Sequence, residues 1–228
     1  MRKHGPFGKM LGLYLLAGAA AAALAARPLP EPQNTAEAPA DGIYLPLPAD
    51  TLTLAAALTG EDGALAFVIR FAPAEERITA VPLPEDCAAA AAEGLSAFRA
   101  AAEQEAGPVD GALSGEADAW RQAAGVLGPV TVELPASLTL STPGGAVTLS
   151  AGRQAVDATL ALALLDKGGD PARQVAEGWA LGFCRLAERR STAALFSGLE
   201  EGFAADVSYD LLEQKRRGLA WLAGQLDG

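Results

Sequence analysis

Histidine is nearly missing from this sequence. Of its 228 residues a single one, His4, is a histidine, and it precedes the first apolar run. With no imidazole in the body of the chain, a Ser-His-Asp or Cys-His mechanism has no base and a histidine zinc site has no ligand. Cysteine is almost as scarce: Cys87 and Cys184 are the only two, too few for a thiolate zinc or iron-sulfur centre. Positive charge is also short. The 17 Lys and Arg face 28 Asp and Glu, a formal net charge of -11, and such a surface repels nucleic acid and anionic headgroups at long range. Nucleic acid is therefore not expected as a partner. Carboxylates, guanidinium groups and a divalent ion are what remain for chemistry.

Apolar residues are plentiful. Half the chain is hydrophobic, which excludes disorder over the main body. Residues 1–9 carry Arg2, Lys3 and Lys9, and residues 10–26 form an apolar run. A charged start and an apolar middle make an export signal. Ala23-Leu24-Ala25 suits a signal peptidase, and cleavage there would release a soluble exported protein beginning near Ala26 or Arg27. Left uncut, about 17 apolar residues at ~1.5 Å each reach ~26 Å, within spanning range. Basic residues on the N-terminal side place residues 1–9 in the cytoplasm and the body outside. The preferred expectation is an uncut signal anchor: a single-pass protein of the cell membrane with an extracytoplasmic domain. Secretion after cleavage is the alternative. Residues 27–50 are a Pro/Ala-rich linker, semi-extended by composition, and residues 51–228 are expected to fold as one domain.

That domain alternates strand and helix patterns. Residues 51–59 read as a first strand. The stretch 65–87, LAFVIRFAPAEERITAVPLPEDC, reads as two strands joined by a charged turn. Its first strand is apolar on both faces apart from Arg70, so the pair is expected at the centre of a sheet with helices on each side. A single helix is expected over 88–106, a short strand over 109–114 and an amphipathic helix over 116–127. A strand over 130–134 and a hairpin over 138–149 around Pro143-Gly144-Gly145 follow. Ser150 is expected to cap a helix running through Leu165. Asp170 is expected to cap the next, with Pro171 in its first turn, ending near Arg190. A last helix over 209–226 turns Leu212, Leu219, Leu222 and Leu226 inward. The expected fold class is α/β: a three-layer α/β/α sandwich around a central mixed sheet, in a single domain.

Several segments, in order, resemble the LytR-CpsA-Psr family. LAFVIRFAPAEERITAVPLPED looks like that family's strand–turn–strand ending in Pro-Arg-Asp. AGPVDGALSGEADAWRQAAGVLGPVTVELPASL looks like its "P-V/I-D" strand, helix and "GGVTVDVP" run. LSAGRQAVDA resembles "LDGEQALAY", GDPARQ resembles "GDxxR…RQ", and SGLEEGFAADVSYDLLEQ resembles the closing "TDLS…LL". Together they cover residues 51–226. The resemblance implies a membrane-anchored, outward-facing cell-envelope protein. Members transfer glycopolymers from polyprenyl pyrophosphate to peptidoglycan, with arginines on the pyrophosphate and acidic groups on magnesium or the incoming hydroxyl.

The family's working residues map onto few positions here. Asp86, at the Pro-Arg-Asp position, and Arg173, in the GDPARQ segment, are the candidate catalytic groups. Asp170 and Arg173 are the candidate substrate-binding pair. The family's Asp before the first strand of the pair falls on Ala64, so Asp62 is the candidate metal ligand, with Mg2+ implied only if transfer survives. The family's arginine becomes Glu85, its second arginine after GDPARQ becomes Ala176, and the pair after "ALAY" has no counterpart in 159–165. A glutamate where a phosphate ligand should be reverses a contribution of several kcal/mol at ~4 Å. Plain structural roles are also open: Arg173 pairing with Asp170, Asp86 capping the helix after it, and Glu85 solvated. The first expectation is a family-like protein whose transfer is lost or weakened, retained to bind or scaffold an envelope component such as a polyprenyl-linked glycopolymer. A working ligase using Arg70, Arg99 or Arg153 instead is the alternative. An exported protein sharing only the sandwich comes third. A bridge between Cys87 and Cys184 is disfavoured, because Cys184 lies about 16 Å along its helix from Arg173.

Overall fold

A computed structural model of the protein describes residues 45–60 and 63–227, and the side chains of all of these except 63 and 64. The signal segment and Asp62 lie outside the described residues. The central strand is β1 (Leu52–Gly60), not the 65–87 pair. It lies between β2 (Gly63–Ala72), antiparallel to it, and β4 (Gly111–Glu116), parallel to it. β3 (Arg77–Pro82) forms one edge beyond β2, and the two-residue β9 (Ala204–Ala205) forms the other, giving the order β3-β2-β1-β4-β9. Proline explains part of this. Pro82 and Pro84 cannot donate to a further strand, so β3 suits an edge. The mixed five-stranded sheet with helices on both faces is the three-layer α/β arrangement expected.

The alternation of β1 assigns the faces. Ala55 and Ala57 point to one side, where Ala66 and Val68 of β2 meet α1 (Glu85–Glu93) and α2 (Leu95–Ala106). Seven of the ten buried residues in that cluster are alanine, and Phe98 is its one large filler. Small side chains let these two helices sit close to the strands. Leu52, Leu54 and Ala56 point to the other side, against the two longest helices, α5 (Gly169–Arg189) and α7 (Tyr209–Leu226). α3 (Ala117–Leu127) and α4 (Ala158–Lys167) precede α5 in the chain, and α6 (Thr192–Gly202) lies between α5 and α7. Two antiparallel ribbons complete the domain: β5 (Val130–Leu134) with β8 (Gly152–Val156), and the hairpin β6 (Leu138–Thr142) with β7 (Gly145–Leu149).

Four sequence expectations need correction. The 88–106 helix is two helices, starting earlier at Glu85 and broken at Gly94, whose φ of 133° and ψ of 162° stop a helix. Ser150 caps nothing helical: residues 152–156 pair with β5, and the cap falls seven residues later, where the Asp157 side chain accepts from Leu160 N–H at 3.0 Å. Asp170 is the second residue of α5, because Gly168, at φ 73°, takes the cap position; Pro171 stays in the first turn. Leu226 is 39 % exposed, while Leu212, Leu219 and Leu222 are buried. The early strand begins at Gly111 rather than 109, and α6 and β9 had no counterpart among the expectations. No helix among the described residues is long and apolar enough to cross a membrane.

Candidate functional site

The GDPARQ segment opens α5, and its side chains tie that helix to two sheet edges. Gln174 grips β5 by both ends of its amide: Glu133 N–H donates to Oε1 at 2.6 Å, and Nε2 donates to the Glu133 carbonyl at 3.1 Å. One turn on, Glu177 Oε1 accepts from the Ala80 N–H of edge strand β3 at 3.2 Å. An amide and a carboxylate thus stand in for the strand that neither edge has, satisfying backbone groups that would otherwise need water.

Arg173 sits between these two contacts. Its Nε and Nη2 donate to Asp170 Oδ1 at 3.1 and 2.5 Å, and its Nη1 donates to Glu177 Oε1 at 2.8 Å. The hydrogen bonds from Arg173 and Gln174 hold the Asp170 carboxyl below its ordinary range, and those to Asp170 and Glu177 hold the guanidinium more firmly protonated. The one cation at this helix start therefore faces two carboxylates. For an incoming phosphate it is already spent, since binding would require those bonds to break or would place more negative charge beside them.

Beneath this network lies an apolar cavity of about 40 Å3 between the sheet and the helices, lined in part by Leu65, Phe67 and Ile69 of β2, Leu165 of α4, and Ala176 and Trp179 of α5. Ala176 is the position where the family resemblance implies a second arginine, and it is 5 % exposed. The resemblance also implies a lipid-chain cavity in this layer. Here aromatic rings fill most of it. Trp120 stacks on Trp179 at 5.7 Å and 11°, meets Phe203 edge-on at 4.8 Å, and donates Nε1–H to the Ala57 carbonyl at 3.0 Å. Ligand pockets for molecules of drug size run from about 300 Å3 upward, and at roughly 10–15 Å3 per water this void has room for a few waters and not for a lipid chain.

Asp86 lies in the first turn of α1, exposed, with Oδ1 accepting only from the adjacent Cys87 N–H at 3.0 Å. The cap position itself is Pro84. No hydrogen bond or ion pair joins Asp86 to Arg173 or to any other described arginine. The arginines proposed as substitutes are engaged elsewhere or stand apart. Arg70 pairs with Glu75 at 2.7 Å across the β2–β3 turn. Arg99 donates to Asp206 at 2.9 Å, Glu103 at 3.1 Å and the Val109 carbonyl at 2.8 Å, while Asp206 also accepts the Ala112 N–H. Arg153 faces Glu133 across the β5–β8 ribbon. Magnesium in such a site would be held by one or two carboxylates together with the substrate's own phosphates. Among the described residues no group of three or more His, Cys, Asp or Glu could hold a metal, and no guanidinium accompanies Asp86 to seat the phosphates. The described residues do not fit a magnesium–pyrophosphate centre.

Both thiols are free and buried. Cys87 Sγ–H donates to the Ala101 carbonyl at 3.6 Å, and burial, with Asp86 and Glu105 nearby, raises its pKa. Cys184 lies in the α5–α7 core, where burial pushes its thiol far up. Neither is a nucleophile.

The sheet order and the two helical layers define an α/β/α domain of LytR-CpsA-Psr-like fold. No family model and no curated protein matches the sequence. Solved structures do match the fold. A protein of Eubacterium siraeum assigned to transcription regulation superposes with a TM-score of 0.61 at 10 % identity, over 82 % of this chain and 83 % of its own. TagV of B. subtilis gives 0.57 at 11 % over 76 % and 80 %, and TagT bound to LI-WTA gives 0.55 at 14 % over 80 % and 78 %. At such identities the likeness concerns the fold.

Proposed function

We propose that this protein is a cell-envelope protein of LytR-CpsA-Psr type that no longer transfers glycopolymers, or does so weakly, and that serves as an extracytoplasmic binding or scaffolding domain. Residues 10–26 tether it to the cell membrane, the Pro/Ala-rich stretch is the spacer, and a cell-wall component or polyprenyl-linked glycopolymer is the partner. The observation that carries this reading is at the start of α5. The remaining arginine of the family pattern is neutralised by Asp170 and Glu177, and the next arginine position is an alanine facing a cavity of about 40 Å3. Transfer needs a cluster of free guanidinium groups to hold a pyrophosphate and space to hold its lipid chain. Neither is present in the described site.

The test is transfer from a polyprenyl-pyrophosphate-linked polymer to peptidoglycan by the full chain in detergent, beside direct binding of the carrier. The expected result is no turnover above background and weak or no carrier binding. Robust turnover that disappears in Arg173→Ala would overturn the proposal and restore the working-ligase alternative.

A further inference from the structure

At the far end of α5, roughly 28 Å along its axis from Asp170, the chain turns twice and leaves a depression of about 400 Å3. Arg189, Arg190 and Arg216 line it, together with Ser191, Thr192 and Tyr209. Two helices begin at this spot. Thr192 opens α6, capped by Ser191 Oγ accepting from Ala194 N–H at 3.3 Å, and Tyr209 opens α7, capped by Ser208 Oγ accepting from Leu211 N–H at 3.2 Å. Their free N–H groups and dipoles favour an anion.

The arginines here differ from Arg173. None of the three forms an ion pair among the described residues; Arg216 Nη1 donates to the Ala187 carbonyl at 3.4 Å, and Arg189 lies near enough to Asp227 to help depress its carboxyl. Glu188 and Glu213 share the lining, so three guanidinium groups outnumber two carboxylates in a protein of net charge -11. Thr192, in the same lining, is 2 % exposed, and its Oγ1, the single buried side-chain polar atom without a hydrogen-bond partner among the described residues, is shielded from solvent.

We propose that this depression binds a phosphoryl oxyanion, with Arg190 and Arg216 as its guanidinium forks. The strongly acidic remainder of the surface selects against extended polyanions, and the concave floor between helix ends suits one compact phosphate group. That group comes either from a soluble phosphate ester or from a lipid headgroup. The site is remote from Arg173, so the inference holds whether or not transfer survives.

Inorganic phosphate is titrated into the full chain in neutral detergent at ionic strength fixed with chloride, and followed by calorimetry and thermal midpoint. Saturable binding is expected, weakened about tenfold or more by Arg190→Gln and by Arg216→Gln, as loss of a charge-assisted bond implies. Arg173→Ala should leave it unchanged. No binding at millimolar phosphate, or wild-type affinity in both variants, overturns the proposal. Arg216 also caps α5, so if its variant unfolds, Arg190→Gln, on an exposed side chain, decides alone. Retention on phosphatidylglycerol vesicles that phosphate competes and Arg190→Gln abolishes assigns the headgroup as the source. Phosphate binding without retention assigns a soluble ester.

Discussion

Trp120→Ala tests whether the layer between sheet and helices is packed core or ligand space. The indole stacks on Trp179 at 5.7 Å, meets Phe203 at 4.8 Å and donates to the Ala57 carbonyl at 3.0 Å. Truncating a core tryptophan costs about 3–5 kcal/mol. The lower half of that range applies because Trp120 is half-buried, so about 3–4 kcal/mol is expected. At this size each kcal/mol lowers the midpoint by roughly 2–4 °C, giving a fall of about 6–16 °C by circular dichroism. The deletion also enlarges a cavity of about 40 Å3 toward the ~150 Å3 at which engineered apolar cavities stay dry and take up benzene or xenon. Benzene should therefore raise the midpoint of Trp120→Ala and leave the wild type unmoved. The reasoning fails if the variant melts within 2 °C of wild type, a shift worth only about 0.5–1 kcal/mol. It fails equally if the wild type already takes up a short isoprenyl chain, for then the rings are a gate and not a plug.

Other perturbations follow from the same packing. Ala176→Arg should not restore transfer, because it drives a guanidinium into an apolar cavity; a loss of about 3–5 kcal/mol in urea unfolding is expected. Gly182→Ala places a methyl 2.7 Å from the Leu127 carbonyl oxygen and 3.0 Å from Leu127 Cβ, so α3 and α5 must separate, at about 1–3 kcal/mol by the same unfolding measurement. Asp227 closes α7 on Arg185, with Nε 2.9 and 3.0 Å from its two oxygens, and that bond chiefly holds its carboxyl below the ordinary range. Its folded pKa lies below the unfolded one, so its contribution is present above the unfolded value and is lost as pH falls through the folded one. Partial exposure limits it to under about 1 kcal/mol. Unfolding measured at pH 7 and in acid should show Arg185→Gln removing this part of the pH dependence.

The elements that read correctly are those whose signals are local. α7 starts and ends where its leucine spacing indicates, and β5 keeps its alternation from Val130 to Leu134. The failures have non-local causes. Residues 152–156 became a strand because β5 needed a partner, and pairing across some twenty residues leaves no mark in composition. β1 took the centre because β4 returned beside it in parallel. At the site, the fate of Arg173 was half legible: Asp170 three residues earlier announced one bond, and Glu177 four residues later is at helical spacing for the second. That Gln174 and Glu177 bind the backbones of β5 and β3 was not legible. The depression beyond Arg189 went unread, although the run Glu188-Arg189-Arg190-Ser191-Thr192 held its signal: paired arginines directly before a helix cap.

By itself the sequence determined the class of layered α/β domain, the absence of arginines at the positions where the resemblance implies them and the exclusion of histidine and thiolate chemistry, because these depend on which residues exist and on their periodicity. Only the tertiary structure decided what the surviving residues do. Whether an arginine is free for a ligand or bound by its neighbours, and whether tryptophans enclose a space or fill it, depends on which surfaces meet. At the start of α5 they meet as two carboxylates on one guanidinium, over a small apolar cavity that Trp120 and Trp179 line.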